Sequence, residues 1–74
     1  MIDAYILIFR TNINNPEDCR KVAQVLDQEP CIGKWTVDLE DVDRVLRVVA
    51  TGPLTNHIIS LVNACAYECA ELED

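Results

Sequence analysis

The sequence predicts an α+β sandwich with the element order βαββαβ, and three features of the residue pattern support this prediction. Runs of β-branched and other apolar residues indicate strands at residues 2–10, 34–39 and 44–50, with a short fourth strand within residues 67–72. Two amphipathic stretches, at residues 15–28 and 56–66, have helical spacing. The chain has 74 residues, which is enough for one small domain (residues 1–74) and too few for two.

The first strand and the first helix have distinct local signals. Tyr5 to Phe9 is an unbroken apolar run, which is typical of a strand covered on both faces, so we place this strand in the centre of the sheet. Asn15 can accept hydrogen bonds from free amides at a helix start, and Pro16 suits the first helical position. Pro30 should end the helix. The expected apolar stripe of this helix consists of Val22, Val25 and Leu26.

The second and third strands are predicted to form a hairpin. Trp35, Val37 and Leu39 alternate with polar residues, which indicates a strand with one solvated side. An acidic stretch with turn composition separates this strand from the next one. We expect Leu46 and Val48 of the third strand to point toward the helices.

The second helix and the last strand complete the order. Thr55 is the expected cap of the second helix, and the tail up to Leu72 is expected to add an edge strand, with Glu73 and Asp74 frayed. Two βαβ units with a central hairpin correspond to the ferredoxin-like sandwich. In this fold two helices cover one face of a four-stranded antiparallel sheet, whose first and third strands are central.

Charge and cysteine content exclude several classes of protein. The formal charge is −7, which opposes the binding of DNA or RNA and marks an acidic protein. No apolar stretch is long enough for a membrane span, and no signal peptide is visible, so we expect a cytoplasmic protein that binds neither membrane nor nucleic acid. The four cysteines are unevenly spaced and form no CxxC, so we expect reduced thiols.

Three segments of the chain match the pattern of a known family. They are Val22-x-x-Val25-Leu26-x-x-x-Pro30-Cys31-Ile32, Trp35-x-Val37-Asp38-Leu39-Glu40 and Ala66-Tyr67. Together they resemble the heavy-metal-associated domains of copper chaperones and metal-transporting ATPases, over nearly the whole chain from residue 15 onward. The resemblance implies the same ferredoxin-like fold. Because these positions belong mostly to core and turns, they bear on fold more than on activity.

The metal-binding motif of that family is missing from this sequence. The family carries Met-x-Cys-x-x-Cys before the first helix, where two thiolates bind Cu(I) or Zn. The family spacing assigns the two thiol positions to Asn15 and Asp18, and Cys19 lies one residue further along. The family's metal site therefore does not carry over to this chain.

The predicted fold suggests a different thiolate site. In this fold the start of the first helix and the turn after the second lie at the same end of the sheet, so Cys19 and Cys65 could approach each other, with Tyr67 nearby. Such a pair could hold Cu(I) or Zn, and we expect the first-turn amides to lower the pKa of Cys19. The competing interpretation is that both cysteines are small residues packed at helix ends.

The remaining polar residues indicate no enzyme. His57, the only histidine, has no apparent partner for nucleophilic or metal catalysis, and we interpret it as a surface residue. With only two glycines, the chain has no Gly-rich phosphate loop. The acidic residues Asp38, Glu40, Asp41 and Asp43 lack a calcium-loop pattern, so we expect a solvated hairpin tip.

The outer face of the sheet is the remaining candidate site. Its residues on the third strand are expected to be Val45, Arg47 and Val49. The central first strand adds either Tyr5, Leu7 and Phe9 or Ile6 and Ile8. We favour the first set, because Tyr5 is amphipathic and tolerates a rim position. Either set leaves an apolar patch with no covering layer, which commonly marks an interface.

Two hypotheses about function follow. The first is a small non-enzymatic interaction domain, resembling heavy-metal-associated domains without their metal motif, that forms a homodimer or docks a protein partner through its sheet. The second is a soft-metal binding protein or chaperone that uses Cys19 and Cys65 as a non-standard Cu(I) or Zn site.

Overall fold

The computed structural model describes residues 4–72 and contains every predicted element. The elements are β1 (Tyr5–Thr11), α1 (Pro16–Leu26), β2 (Ile32–Val37), β3 (Leu46–Ala50), α2 (Thr55–Ala64) and β4 (Cys69–Glu71). The first residues of the predicted opening strand and the frayed end at Glu73 and Asp74 lie outside the described residues. Neither helix in the described range has the length and apolar character that a membrane span requires.

The sheet has the predicted topology. Its strand order is β2-β3-β1-β4 and every neighbouring pair is antiparallel, so β1 and β3 are central as predicted. Both helices pack their apolar residues against one face of this sheet. The ferredoxin-like βαββαβ sandwich is therefore confirmed.

Helix α1 begins as its sequence predicts. Asn15 has an extended backbone (φ −154°, ψ 170°), and its side-chain oxygen accepts a hydrogen bond from the amide of Asp18 at 2.8 Å. Pro16 opens the helix, and two acids follow in the first turn, where the helix dipole favours negative charge. The helix ends at Leu26, slightly earlier than predicted.

Helix α2 begins one residue earlier than predicted, which makes Thr55 a helical residue and the predicted Thr55 cap wrong. The carbonyl of Leu54 accepts the first helical hydrogen bond, from the amide of Ile58 at 2.9 Å, so Leu54 takes the cap position. The turn before the helix causes this shift, because the amide of Leu54 donates to the carbonyl of Gly52. No side chain caps the helix.

The core lies between the helices and the inner face of the sheet. Leu46 and Val48 are fully buried, which confirms their predicted orientation. The buried residues within positions 4–72 are Phe9, Ile13, Val22, Leu26, Leu46, Val48, Ala50, Ile58 and Val62. Among the described residues, no buried side-chain nitrogen or oxygen lacks a hydrogen-bond partner. The core therefore stabilises the domain by apolar burial, without polar groups to satisfy.

The preferred assignment of the first strand's faces is wrong. Phe9 lies opposite Leu46 and is fully buried, and residues directly opposite each other in antiparallel strands share a face. Tyr5 and Leu7, which alternate with Phe9, therefore also belong to the helix-facing side. The physical reason is volume, because the phenyl ring is the largest side chain in the core and packs between sheet and helices.

The open face carries the alternative set. Ile6 lies opposite Val49 and Ile8 lies opposite Arg47, so these four residues point away from the helices. Ile6 is 55% exposed, and Val45, just before β3, continues the same alternation.

Replacing Phe9 with alanine should destabilise the domain far more than replacing Ile6. Phe9→Ala leaves a cavity in the core and should lower the free energy of unfolding by about 3–4 kcal/mol. Ile6→Ala removes a half-exposed side chain from the same strand and should cost about 1 kcal/mol or less. Urea unfolding of both variants measures the difference, and equal losses would contradict the assignment of the two faces.

Candidate functional site

A hydrogen-bonded network joins the start of α1 to the turn after α2. The hydroxyl of Tyr67 donates to Oδ1 of Asp18 at 2.6 Å, and the amide of Asn14 donates to Oδ2 of Asp18 at 3.1 Å. The amide of Asp18 in turn donates to the Asn15 side chain. We call these four residues (Asn14, Asn15, Asp18 and Tyr67) the Asp18 network.

The turn after α2 places Tyr67 against α1. Ala66 adopts a left-handed conformation (φ 70°), while its amide donates to the carbonyl of Asn63 and the amide of Tyr67 donates to that of Val62. This pattern is a Schellman motif, in which a left-handed residue ends the helix and turns the chain. The Asn63 side chain also donates to the carbonyl of Tyr67 at 3.0 Å. The turn is therefore tightly defined, although alanine rather than glycine takes the left-handed position.

The hairpin between β2 and β3 also contacts the Asp18 network. The Arg44 guanidinium donates to the side chain of Asn14 and to the carbonyls of Leu39 and Asp41. The carboxylate of Asp41 accepts from the amide of Asp43 at 2.8 Å. Arg44 thus links the acidic hairpin tip to the start of α1 through neutral acceptors.

The hydrogen bond between Asp18 and Tyr67 shifts the pKa values of both side chains in opposite directions. The hydrogen bond from Tyr67, followed by the one from the amide of Asn14, keeps the pKa of Asp18 below its usual 3.8. The same bond raises the pKa of Tyr67 to about 12, with desolvation and the Asp18 charge adding to the effect. Asp18 is therefore an anion and Tyr67 a neutral donor at neutral pH.

Cys19 does not have the lowered pKa that its helix position led us to expect. Partial burial raises the pKa of the Cys19 thiol, and the negative charge of Asp18 raises it further. The apolar core edge that surrounds Cys19 outweighs the first-turn amides, since desolvation disfavours the charged form. Cys19 is thus a thiol rather than a thiolate at neutral pH.

Cys65 lies against the same helix. Its Sγ is 3.8 Å from the carbonyl oxygen of Lys21, and its side chain is partly buried. The structure therefore places Cys65 and Tyr67 against the first two turns of α1, as we expected from the fold. All four cysteines are free thiols. Within residues 4–72, no group of three or more His, Cys, Asp or Glu side chains is arranged to hold a metal ion, and a two-thiol site of Cys19 and Cys65 remains a prediction.

His57 has a partner that the sequence did not reveal. It is a surface residue, as expected, but its Nε2 lies 2.7 Å from Oε2 of Glu29. The hydrogen bond with His57 is the main cause of a lowered Glu29 pKa. This pair joins the loop after α1 to the first turn of α2, at the far end of α1 from Asp18. Glu29 and His57 are 28 positions apart, and the sequence around each of them has no pattern that indicates their pairing.

Known structures with the same fold are found among metal-handling domains. A scan against protein-family models finds no match, and a search of curated proteins finds no relative. The apo form of the heavy-metal-associated domain of the copper chaperone for superoxide dismutase is similar with a TM-score of 0.79 and 17% identity, covering 96% of this chain and 69% of that one. The yeast copper transporter domain Ccc2a has a TM-score of 0.78 and 15% identity, covering 93% of this chain and 96% of that one.

A third structure, the N-terminal domain of ZntA in its Zn(II) form, has a TM-score of 0.77 and 14% identity, and the match covers 92% of each chain. At these identities the similarity shows the fold alone. The chain therefore has the heavy-metal-associated fold that its sequence resembles.

Removing the Asp18 charge should lower the pKa of Tyr67. In a Tyr5→Phe background, only one tyrosine remains, and its tyrosinate absorbance should rise with a midpoint near 12. Asp18→Asn in that background should bring the midpoint down toward the ordinary 10, because the carboxylate no longer holds the hydroxyl proton. An unchanged midpoint would show that the Asp18 network does not form in solution.

The same network should make stability depend on acid pH. The folded-state pKa of Asp18 is depressed, so its contribution is present above 3.8 and is lost as the pH falls through the folded-state value. Tyr67→Phe should therefore unfold more easily than the parent protein at neutral pH, and this difference should shrink below pH 3.8. Urea unfolding across an acid pH series measures it. A difference that stays constant with pH would contradict the coupling.

Proposed function

We propose that this chain is a non-enzymatic protein-interaction domain that has the heavy-metal-associated fold and no two-thiol metal site at the start of α1. The observation that supports this proposal is the Asp18 network. The resemblance assigns the family's second thiol position to Asp18, and the carboxylate there is held by Tyr67 and Asn14.

The chemistry of this network suits a helix start better than a soft-metal site. Cu(I) prefers thiolates, whereas Asn15 and Asp18 offer an amide and a carboxylate. The Asn15 oxygen already accepts from the amide of Asp18, and the Asp18 oxygens accept from two donors. Asn15 thus caps the helix, and Asp18 holds the turn after α2 against it.

The outer face of the sheet is the surface on which we propose that a protein docks, either a second copy in a homodimer or another protein. Ile6 is 55% exposed there, and Ile8 and Val49 extend the apolar area on neighbouring positions. Val45 and Arg47 belong to the same face. Exposed apolar patches of this kind are commonly interaction sites.

The absence of an enzymatic activity and a cytoplasmic location are part of the proposal. Burial raises the pKa of the Cys69 thiol to about 11, and the pKa of Cys19 is also raised, so neither is an activated nucleophile. Four free thiols in one small domain suit a reducing compartment.

The alternative function is soft-metal binding by Cys19 and Cys65, with Tyr67 beside them. It is favoured by the position of Cys65, whose Sγ contacts the carbonyl of Lys21, two residues beyond Cys19 on α1. The raised pKa of Cys19 opposes it, because a metal must displace a proton that is held more firmly than usual.

Metal titration separates the two functions. The reduced protein, titrated anaerobically with Cu(I) and with Zn²⁺ in competition with a thiol chelator, should retain no metal in native mass spectrometry. The double variant Asn15→Cys, Asp18→Cys restores thiols at the positions that the resemblance assigns to the family motif. It should retain one ion and serves as the positive control.

Two other outcomes of this metal titration would contradict the proposed function. One ion retained by the parent protein and lost in both Cys19→Ser and Cys65→Ser would overturn the proposal and establish the alternative site. Retention that survives in both variants would place the metal elsewhere and would contradict both functions.

A further inference from the structure

The open face of the sheet has a regular composition in which cations alternate with apolar residues. Opposite pairs in the strand register identify which residues share this face. They are Ile6, Ile8 and Arg10 from β1, Arg47 and Val49 from β3, Lys34 and Thr36 from β2, and Ala70 from β4. We call this set the outer face.

The rows that cross the sheet each contain one cation. Lys34, Val49 and Ile6 form one row. Thr36, Arg47 and Ile8 form the next row. Arg10 lies opposite Ala70 in a third row, one step further along β1. Positive charge is therefore spread across the whole outer face, with apolar side chains between the cations.

The sign of this face is opposite to that of the whole chain. The chain has 13 acidic and 6 basic residues, yet the outer face has three of the basic residues and no acid. Glu71 is the one acid within a described strand, and it lies opposite Phe9, on the helix-facing side. The other acids of residues 4–72 lie in α1, the loops and the turns. Asp38 and Asp41 border the outer face beside Arg47, and Asp43 and Glu68 border it beside Arg10.

Within the part of the chain that the structure describes, the three cations of the outer face form no ion pair. Arg10, Lys34 and Arg47 are all exposed, and the one ion pair among residues 4–72 is that of His57 with Glu29. Asp38 and Asp41 line a shallow depression of about 280 Å³ beside Arg47. Their carboxylates accept from the amides of Glu40 and Asp43 instead.

We infer that the outer face binds an acidic protein segment that also presents apolar side chains. The inference rests on the proposed interaction function and specifies the partner. Carboxylates of such a segment would pair with Arg10, Lys34 and Arg47, while its apolar side chains would cover Ile6, Ile8 and Val49. Because charges beyond roughly 8–10 Å are screened at physiological salt, the local positive face decides the contact despite the net charge of −7.

Charge also argues against other occupants of the same surface. A second copy docked face to face would oppose the cations of both copies and leave them uncompensated. An extended anionic membrane would meet the acidic hairpin tip at Asp38 and Asp41 as well as the cations. A compact acidic segment avoids the first conflict, and it can also contact the row of Lys34, Val49 and Ile6, which does not line the depressions that contain these acids.

The test uses short random peptides displayed on phage and selected on the intact reduced protein. We expect enrichment of sequences that combine Asp or Glu with Leu, Ile, Val or Phe. Synthetic copies of the enriched peptides, titrated into isotopically labelled protein, should shift the amide resonances of β1, β2 and β3 and leave those of the Asp18 network unchanged.

Two double variants with the same change in net charge provide the comparison. Arg10→Gln, Arg47→Gln removes two cations from the outer face and should weaken peptide binding about tenfold. Arg20→Gln, Lys21→Gln removes two exposed cations from α1 and should change the affinity less than twofold. Ile6→Ala should also weaken binding, because it removes the most exposed apolar contact of this face.

Each other outcome overturns the inference in a defined way. Apolar peptides without acids, bound on the outer face equally well by both double variants, would keep the interaction function and refute the acidic partner. Failure to enrich any peptide, or resonance shifts confined to α1 and the turn after α2, would refute the outer face as the site.

Controls for the other occupants complete the test. Binding to phosphatidylserine vesicles but to no peptide would identify a membrane as the partner instead. A concentration-dependent dimer mass that is lost in Ile6→Ala would identify a second copy. Metal retention by Cys19 and Cys65 would refute the proposed function independently, since no residue of the outer face takes part in it.

Discussion

The pairing of Phe9 with Leu46 is the constraint on which both surfaces of this domain depend. Because side chains alternate along a strand, burying Phe9 against the helices also places Leu7 and Val48 inside and turns Ile6, Ile8 and Arg47 outward. A shift of one residue would exchange the two faces and expose the core. Register therefore determines the chemistry of the outer face as much as it determines the packing.

The hydrogen bond between Tyr67 and Asp18 affects both the packing of the helices and the charge at their ends. It joins the start of α1 to the turn after α2. It also sets the local charge, since an anionic Asp18 raises the pKa of the neighbouring Cys19 thiol. This end of the fold therefore contains a neutral thiol, that of Cys19, beside the hydrogen-bonded carboxylate of Asp18.

Net charge describes this molecule poorly, because its charges are segregated. Among residues 4–72, helix α1, the hairpin tip and the loops carry most of the acids, and the outer face carries cations among apolar residues. This distribution favours docking of an acidic surface on the outer face, because its three cations lie there among apolar side chains. Overall acidity keeps the rest of the molecule solvated.

The helices and strands follow from local residue patterns, because strand runs, helix periodicity and the Asn15-Pro16 start are properties of short segments of the chain. The sequence also identified β1 and β3 as central and Leu46 and Val48 as core residues. Which alternate residues of β1 face the helices depends on the pairing of β1 with β3, because Tyr5 to Phe9 is apolar on both sides. The pairs of Asp18 with Tyr67 and of Glu29 with His57 join residues 49 and 28 positions apart, and such contacts exist only once both helices have packed on the sheet.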